Sequence, residues 1–287
     1  MPITLLQIII LGLVQGATEL LPVSSSAHVI VAEKFMGIDP TSPESTFLII
    51  MLHAGTMLAV LAYFWRSWAE HYLASPERIG AAARQLIVAT ALTGVVGLLL
   101  KYVIEKAFLS GPGPGEVESL FGCLPLIAGG LAAAGVLILF SGRSQASPPP
   151  DRAMDGRTAT WMGLIQGVCL PFRGFSRSGA TISTALLRGI GRQPAEEFSF
   201  ALGFVLTPPI VALELRRLMR FHAAETGQHH LLHLVAPGLA GMACSLVSGY
   251  LALRLLSRWL AAGHWKYFGF YCVAAALVVA ALAGAGY

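Results

Sequence analysis

Six long apolar runs limit the folds open to this sequence of 287 residues. They cover residues 47–65, 82–104, 120–141, 197–215, 231–253 and 267–286. Runs that reach or approach 18 residues are typical of helices that cross a bilayer. Charged residues make up only 12% of the chain, which is about half the fraction usual in soluble domains. Because the alternating pattern of membrane barrels is missing, we expect an all-α integral membrane protein.

Two further apolar segments, residues 3–32 and 159–190, are too short to span and are interrupted by polar residues, Gly and Pro. They resemble each other, since GLVQG at Gly12–Gly16 recurs as GLIQG at Gly163–Gly167. A proline and then a serine cluster follow in both copies. A match of five residues is weak evidence in an apolar chain, but a shared plan over the next ten residues indicates an internal repeat.

The position of the two copies predicts an inverted topology. Three predicted spans separate the first copy from the second, so the second half enters the membrane upside down relative to the first. Irregular backbone is tolerated in a bilayer only where protein or a water-filled cavity covers it. We therefore expect each half to contain a re-entrant helical hairpin plus three transmembrane helices, with the polar tips of the hairpins meeting.

These halves are expected to form a single membrane domain, 1–287. The first repeat is placed at 1–146, a linker that contains the sequence SPPPD at 147–155, and the second repeat at 156–287. Lys and Arg are more numerous on one side of the predicted arrangement, and the positive-inside rule assigns that side to the cytoplasm. Both termini are then expected to face outward.

The first polar segment carries groups suited to proton transfer or metal binding. Gln15 and Glu19 are four residues apart and share a helix face, Pro22 ends that helix, and a serine turn leads to His28. A carboxylate, a hydroxyl and an imidazole can act as base, nucleophile and orienting group. Alternatively, Gln15 and Glu19 offer oxygen ligands to Mg²⁺ or Ca²⁺. The serines concerned are Ser24, Ser25 and Ser26.

The serines and the glutamine of this segment can also have purely structural roles. Serines at a helix break often cap backbone N–H groups, and a glutamine in a membrane helix often hydrogen-bonds to a neighbouring helix. An ionisable residue such as Glu19 is costly within a membrane, so its presence there favours a functional site.

The second polar segment, FRGFSRSGATIST, adds positive charge. A Gly- and Ser-rich turn that enters a helix exposes N–H groups, and the helix dipole favours an anion there. Arg177 adds a forked donor suited to phosphate oxygens, although Arg173 and Arg177 could instead extend to the membrane interface. The expected phosphate-binding residues are Ser24, Ser26, Arg173, Gly174, Ser176, Ser178, Gly179 and Thr181.

Other polar residues give weaker signals. We expect His53 to pack within its span or to support a site rather than to catalyse, and the glutamates Glu196, Glu197 and Glu214 to lie near loops or pair with Arg. The HHLLH sequence, which contains His229, His230 and His233, has spacing compatible with a metal but is expected to be an interfacial cluster. No basic stripe interleaved with aromatic residues suggests nucleic-acid binding.

Both polar segments of the sequence resemble the signatures of a known family. QGATELLPVSSSAH is similar to the first signature, (E/Q)xxxE followed by PxSSSxH, of bacterial undecaprenyl-diphosphate phosphatases of the bacitracin-resistance type. GFSRSGAT is similar to their second signature, PGxSRSxxT, and likeness continues in STFLIIMLHAGTMLAVLAYFW and EFSFALGF. The signature residues fall on Gln15, Glu19, Ser25, His28, Ser176, Arg177 and Thr181.

The resemblance implies a multi-pass enzyme of the bacterial inner membrane, with inverted repeats and a site open to the periplasmic face. Such an enzyme removes the terminal phosphate of undecaprenyl diphosphate, depends on a divalent cation, Mg or Ca, and recycles the carrier lipid of cell-wall synthesis. The expected partners are a polyprenyl diphosphate lipid and the membrane; a homodimer is left open. A transporter or lipid flippase is the alternative, because such proteins also use inverted repeats.

The expected catalytic residues are Glu19, Ser25, His28 and Arg177, and the expected metal ligands are Gln15 and Glu19. Ser25 is the expected nucleophile, with His28 either assisting proton movement or attacking phosphorus itself. The sequence departs from the family pattern in PFRGFSRSG, which displaces the proline by two residues and adds Arg173 beside the phosphate loop.

Overall fold

The computed structural model describes residues 3–38, 43–108, 120, 122–143, 152–225 and 229–286. The regular elements in this part of the chain are all α-helices, as expected. They are α1 (Leu5–Leu20), α2 (Ser25–Phe35), α3 (Pro43–His71), α4 (Pro76–Phe108), α5 (Leu124–Arg143), α6 (Gly156–Cys169), α7 (Arg177–Leu187), α8 (Arg192–Glu225), α9 (His229–Ala261) and α10 (Trp265–Gly284).

Five of these helices, α3, α4, α5, α9 and α10, are long and apolar enough to cross a membrane. They contain or largely overlap five of the six predicted spans. The sixth span, 197–215, lies in α8, which is not among the five, and several side chains of α8 lie outside the described residues. The chain is thus an all-helical, multi-pass membrane protein, and the linker residues 147–151 fall outside the described part.

Each of the two short apolar segments folds as a pair of helices joined by a turn. α1 ends at Leu20, shortly before Pro22, because proline lacks an N–H and restricts the residue before it. The expectation of a serine turn was wrong in detail, since α2 begins at Ser25 rather than at His28. Ser24 alone stands outside the helix, with φ of 67°.

The first hairpin packs on α9 through the glycines of GLVQG. A Cβ atom at Gly12 would lie 2.7 Å from Cys244 Cβ, and one at Gly16 would lie 2.4 Å from the carbonyl oxygen of Ser245. Ser248 Oγ donates to the carbonyl of Gly12 at 3.2 Å. Since any side chain would push the helices apart, glycine is what lets α1 and α9 approach this closely.

The second hairpin packs on α4 in the same way, through the glycines of GLIQG. A Cβ atom at Gly163 would lie 2.4 Å from the carbonyl oxygen of Ala89, and one at Gly167 would lie 2.9 Å from that of Thr93. Thr93 Oγ1 donates to the carbonyl of Gly163 at 3.0 Å. Each hairpin therefore rests on a long helix of the opposite predicted half.

Candidate active site

Glu19, in the last turn of α1, is the meeting point of the two polar motifs. Its Oε1 accepts from Arg177 Nη2 at 2.9 Å, across 158 residues of sequence. Its Oε2 accepts from Ser25 Oγ at 2.5 Å and from Gln15 Nε2 at 3.3 Å. The side chain of Glu19 is only 12% exposed. The structure therefore brings together four residues that the sequence singled out.

The Ser25–Glu19 contact has the geometry of a nucleophile and its base. Ser25 is the first residue of α2 and Glu19 nearly the last of α1, so the break between these helices sets their separation. A hydroxyl that donates to a carboxylate can pass its proton there when it attacks. The pair can thus support covalent catalysis.

His28 lies near this pair but contacts other groups. Its Nδ1 is 2.8 Å from the carbonyl oxygen of Ser24, and its Nε2 is 2.7 Å from Tyr271 Oη. Because a carbonyl oxygen only accepts, Nδ1 carries a proton. The expected assistance to Ser25 is not a direct contact in this structure. Tyr271 comes from α10, and no motif in the sequence marked it.

His53 was expected to pack or to support a site, and it lies beside the carboxylate. Its Nε2 is 3.8 Å from Glu19 Oε2, while its Nδ1 lies 2.8 Å from the carbonyl oxygen of Ile49. The distance of 3.8 Å between His53 Nε2 and Glu19 Oε2 is too long for a hydrogen bond, but a protonated imidazole there would interact favourably with the carboxylate. Tertiary packing, rather than any local sequence pattern, brings His53 of α3 to Glu19 at the end of α1.

The phosphate-loop segment between α6 and α7 has a tightly fixed backbone. Ser176 is the N-cap of α7 and accepts from the Gly179 N–H at 3.2 Å. Gly174 has φ of +91°, and a Cβ atom there would lie 2.2 Å from the carbonyl oxygen of Ile127. Only glycine fits that position, because both its conformation and its surroundings exclude a side chain.

Several predicted hydroxyls of this loop hold the fold together. Ser178 Oγ donates to the carbonyl of Leu21 at 3.4 Å. Thr181 Oγ1 donates to the carbonyl of Arg177 at 2.8 Å and lies 2.6 Å from Ser199 Oγ on α8. These contacts fasten α7 to the α1–α2 turn and to α8, so they position Arg177.

Ser24 and Ser26 connect the two hairpin tips. Their Oγ atoms are 3.3 Å apart, and the backbone N–H of Gly174 donates to Ser26 Oγ at 3.5 Å. Arg173 lies within electrostatic range of both Glu19 and Glu33. Arg173, the cation by which this sequence departs from the family motif, therefore belongs to the same charged cluster as Glu19 and Glu33.

The guanidinium of Arg177 has a donor that can bind an anion. Its Nη2 pairs with Glu19, whereas its buried Nη1 has no hydrogen-bond partner among the residues that the structure describes. The guanidinium packs against Gly203 of α8, where a Cβ atom would lie 1.8 Å from Nη1. A buried donor without a partner is costly, so this arrangement fits an anion that completes it.

A divalent cation would find oxygen ligands here but no complete cage. Within the described ranges, no group of three or more His, Cys, Asp or Glu residues could hold a metal ion. Gln15 and Glu19 supply an amide and a carboxylate oxygen, and Mg²⁺ commonly uses one or two carboxylates with waters and substrate phosphates. The residues thus fit a cation whose coordination is completed by the substrate.

Two other buried acidic residues, Glu196 and Glu197, line a second cavity. Glu196 accepts from Ser257 Oγ at 2.5 Å, while Glu197 accepts from Gln193 Nε2 at 2.8 Å and lies 3.1 Å from His71 Nδ1. Glu196 and Glu197 lie in the first two turns of α8, near its start at Arg192, as expected for residues close to a loop; both are buried and share their cavity with Arg66 and Arg192.

This second cavity of about 450 Å³ is remote from Glu19. Tyr63 and Ser67 of its lining lie on α3, 10 and 14 residues after His53, which corresponds to about 15–21 Å along a helix. The side chains of Glu214, His229, His230 and His233 lie outside the described residues. None of these groups therefore adds to the described part of the site.

Comparison with known proteins identifies a family. A sequence model of the family described as Bacitracin resistance protein BacA matches residues 8–278. Undecaprenyl-diphosphatase 2 of Acinetobacter baylyi is 50% identical over 281 residues, which cover 97% of this chain and 98% of that protein. Undecaprenyl-diphosphatase 1 of Burkholderia pseudomallei is 34% identical, covering 94% of each chain. Undecaprenyl-diphosphatase of Korarchaeum cryptofilum is 32% identical, covering 96% and 98%. The chain belongs to the bacitracin resistance protein BacA family.

Proposed function

We propose that this protein is an integral membrane phosphatase that hydrolyses undecaprenyl diphosphate to undecaprenyl phosphate and inorganic phosphate. This activity recycles the lipid carrier of cell-wall synthesis and confers resistance to bacitracin. The observation that carries the proposal is the junction of Ser25, Glu19 and Arg177, which combines a nucleophile, a base and a phosphate-binding cation. The names of the relatives support the same reaction.

In the proposed first step, Ser25 Oγ attacks the terminal phosphorus and its proton passes to Glu19. The new Ser25–phosphorus bond replaces the anhydride bond, and undecaprenyl phosphate leaves with the bridging oxygen. Glu19 then gives that proton to the departing undecaprenyl phosphate. Water attacks the phosphoserine and passes a proton to Glu19, the Ser25–phosphorus bond breaks, the same proton restores the Ser25 hydroxyl, and inorganic phosphate leaves. His28 is the alternative nucleophile, although its contacts with Ser24 and Tyr271 support Ser25.

Arg177 binds the phosphoryl group that is transferred. Its unpartnered Nη1 can donate to a phosphate oxygen, and Nη2 can exchange Glu19 for a second oxygen when the substrate enters. The N-terminus of α7, which begins at Arg177, adds a favourable dipole, since the first N–H groups of a helix lack intrahelical partners and favour an anion. Fixed positive charge of this kind stabilises phosphoryl transfer because most of the catalysis is positioning and electrostatics.

A divalent cation is part of the proposal. Gln15 and Glu19 would hold it, and it would neutralise negative charge on the diphosphate. Activity in detergent should therefore disappear with a chelator and return when Mg or Ca is titrated back.

We also propose how the chain is arranged in the membrane. We infer an inverted repeat with two re-entrant hairpins in the inner membrane and a site open to the periplasmic side. The reciprocal packing of α1 on α9 and of α6 on α4 supports two related halves. Convergence of the two hairpin tips at Glu19 supports a shared site within the membrane.

The test is phosphate release by purified protein in detergent, with no membrane gradient. Ser25→Ala should reduce the rate at least about 10³-fold, because loss of a nucleophile removes the covalent route. Ser75→Ala, in the turn between α3 and α4, is the matched control and should retain the wild-type rate. Near-normal release by Ser25→Ala would exclude the serine mechanism, and no release by the wild type would favour the transporter or flippase alternative.

A further inference from the structure

An apolar groove of about 350 Å³ runs beside the candidate active site. Ala27 and Val31 of α2 form one wall, Leu131 of α5 lies at its base, and Ala275 and Val279 of α10 form the other wall. Alanines on both sides leave the space open, because larger side chains at these positions would fill it. The groove is therefore built by small residues on α2 and α10.

The groove begins at a polar pair, His28 and Tyr271. Their hydrogen-bonded atoms are 2.7 Å apart and their rings are stacked with centroids 5.7 Å apart. His28 lies one helical turn after Ser25, so this end of the groove is continuous with the site of chemistry. From Tyr271 the groove follows α10 to Leu282, a length of about 16 Å for eleven helical residues.

We infer that this groove holds the isoprenoid chain of the substrate, with His28 and Tyr271 at the junction between chain and diphosphate. The inference rests on the proposed phosphatase function. A lipid diphosphate needs polar groups for its head that lie next to an apolar path for its tail, and the groove between α2 and α10 ends at His28, about one helical turn from Ser25.

The groove should act by shape rather than by attraction. A hydrocarbon chain that leaves the bilayer for an apolar groove gains little hydrophobic free energy, since lipid is equally apolar. Its benefit is to fix the direction of the chain and thus the position of the phosphorus before Ser25. Filling the groove should therefore reduce catalysis with long chains and leave a substrate without a chain almost unaffected.

The first experiment compares two diphosphates, undecaprenyl diphosphate and one with a single isoprene unit that is too short to follow α10. Ala275→Phe fills the groove. Leu277→Phe is the matched control, because Leu277 is on the same helix but is 68% exposed and outside the groove. The measurement is kcat/KM for phosphate release in detergent.

We expect Ala275→Phe to lower kcat/KM at least 10-fold for the long substrate and less than 2-fold for the short one. Leu277→Phe should change neither value by more than 2-fold. Equal losses with both substrates, wild-type kinetics of Ala275→Phe, or the same loss in Leu277→Phe would each overturn the inference. Absence of phosphate release from the wild type would refute the proposed function instead.

Photo-crosslinking tests the groove without relying on turnover. A polyprenyl diphosphate with a benzophenone in its isoprenoid chain should label peptides that contain Val31 or residues 274–282. A phospholipid with a benzophenone in its acyl chain should label them far less. Labelling confined to other helices would overturn the inference, and so would equal labelling by both probes, since the groove would then hold any bilayer lipid.

Discussion

Replacing Gly203 by alanine should separate the position of Arg177 from the stability of the fold. The added Cβ atom would lie 1.8 Å from Arg177 Nη1 and 2.7 Å from Cζ, whereas ordinary contact begins at 3.4 Å. The guanidinium must therefore move by more than 1 Å. Because it is the free end of a flexible side chain, it can move while the helices keep their places.

The cost should appear in catalysis. A displacement of about 1 Å in a catalytic group can reduce the rate roughly 10²-fold, which corresponds to about 2.7 kcal/mol of transition-state stabilisation. The 2.9 Å contact between Arg177 Nη2 and Glu19 Oε1 would be lost or distorted as well. We therefore expect Gly203→Ala to lower kcat/KM for phosphate release by about 10²-fold.

Stability should change little in the same variant. Alanine favours a helix over glycine by about 1 kcal/mol, which offsets part of the cost of moving Arg177. Gly94→Ala is the control, since Gly94 is also helical and a Cβ atom there meets nothing within 4 Å. Gly94→Ala should keep full activity. If Gly203→Ala folds and releases phosphate at the wild-type rate, the described guanidinium position is not required for catalysis.

Two further predictions concern the supports of the second hairpin. Asp155→Ala removes the cap of α6 and should lower the free energy of unfolding at pH 7 by about 1 kcal/mol in a thermal melt. Burial opposes ionisation, but hydrogen bonds from Thr158 and nearby guanidinium groups lower the pKa of Asp155 below 3.8; the difference from wild type should therefore shrink as pH falls through that range. Gly174→Ala combines a positive φ with a clash against the Ile127 carbonyl and should destabilise by more than about 1–2 kcal/mol. Gly37→Ala is its control, because Gly37 has φ of +65° but an open surrounding; equal unfolding temperatures for both variants would refute the clash.

Much of this arrangement could be predicted from local patterns. The length of the apolar runs predicted α3, α4, α5, α9 and α10, because a spanning helix must be continuous and apolar. Pro22 predicted the end of α1 for a steric reason. The repeat predicted that the two polar tips meet, since irregular backbone within a membrane must be covered by protein or water, but it did not predict the contact between Glu19 and Arg177.

Other contacts depend on tertiary packing and leave no mark in the sequence. Tyr271 is one of several aromatic residues in an apolar helix, and only the packing of α10 brings it to His28. Gly203 lies in the EFSFALGF stretch, but the reason for a glycine there is visible only in the structure, where the Arg177 guanidinium occupies the space that a side chain would take. The sequence places Glu196 and Glu197 near a loop, but their contacts with Ser257 of α9 and His71 of α3 depend on packing.

The crossed support of the two hairpins has a consequence for how the chain is made. α6 follows α4 during synthesis, so the second hairpin finds its partner already in the membrane. α1 must wait for α9, and at 5–20 residues per second the roughly 200 intervening residues take on the order of 10–40 s. During that interval the glycine face of α1 has not met α9, and for most of it the carboxylate of Glu19 has not met Arg177. A nascent chain therefore depends on a temporary partner, lipid, water or the insertion machinery, for its first hairpin and not for its second.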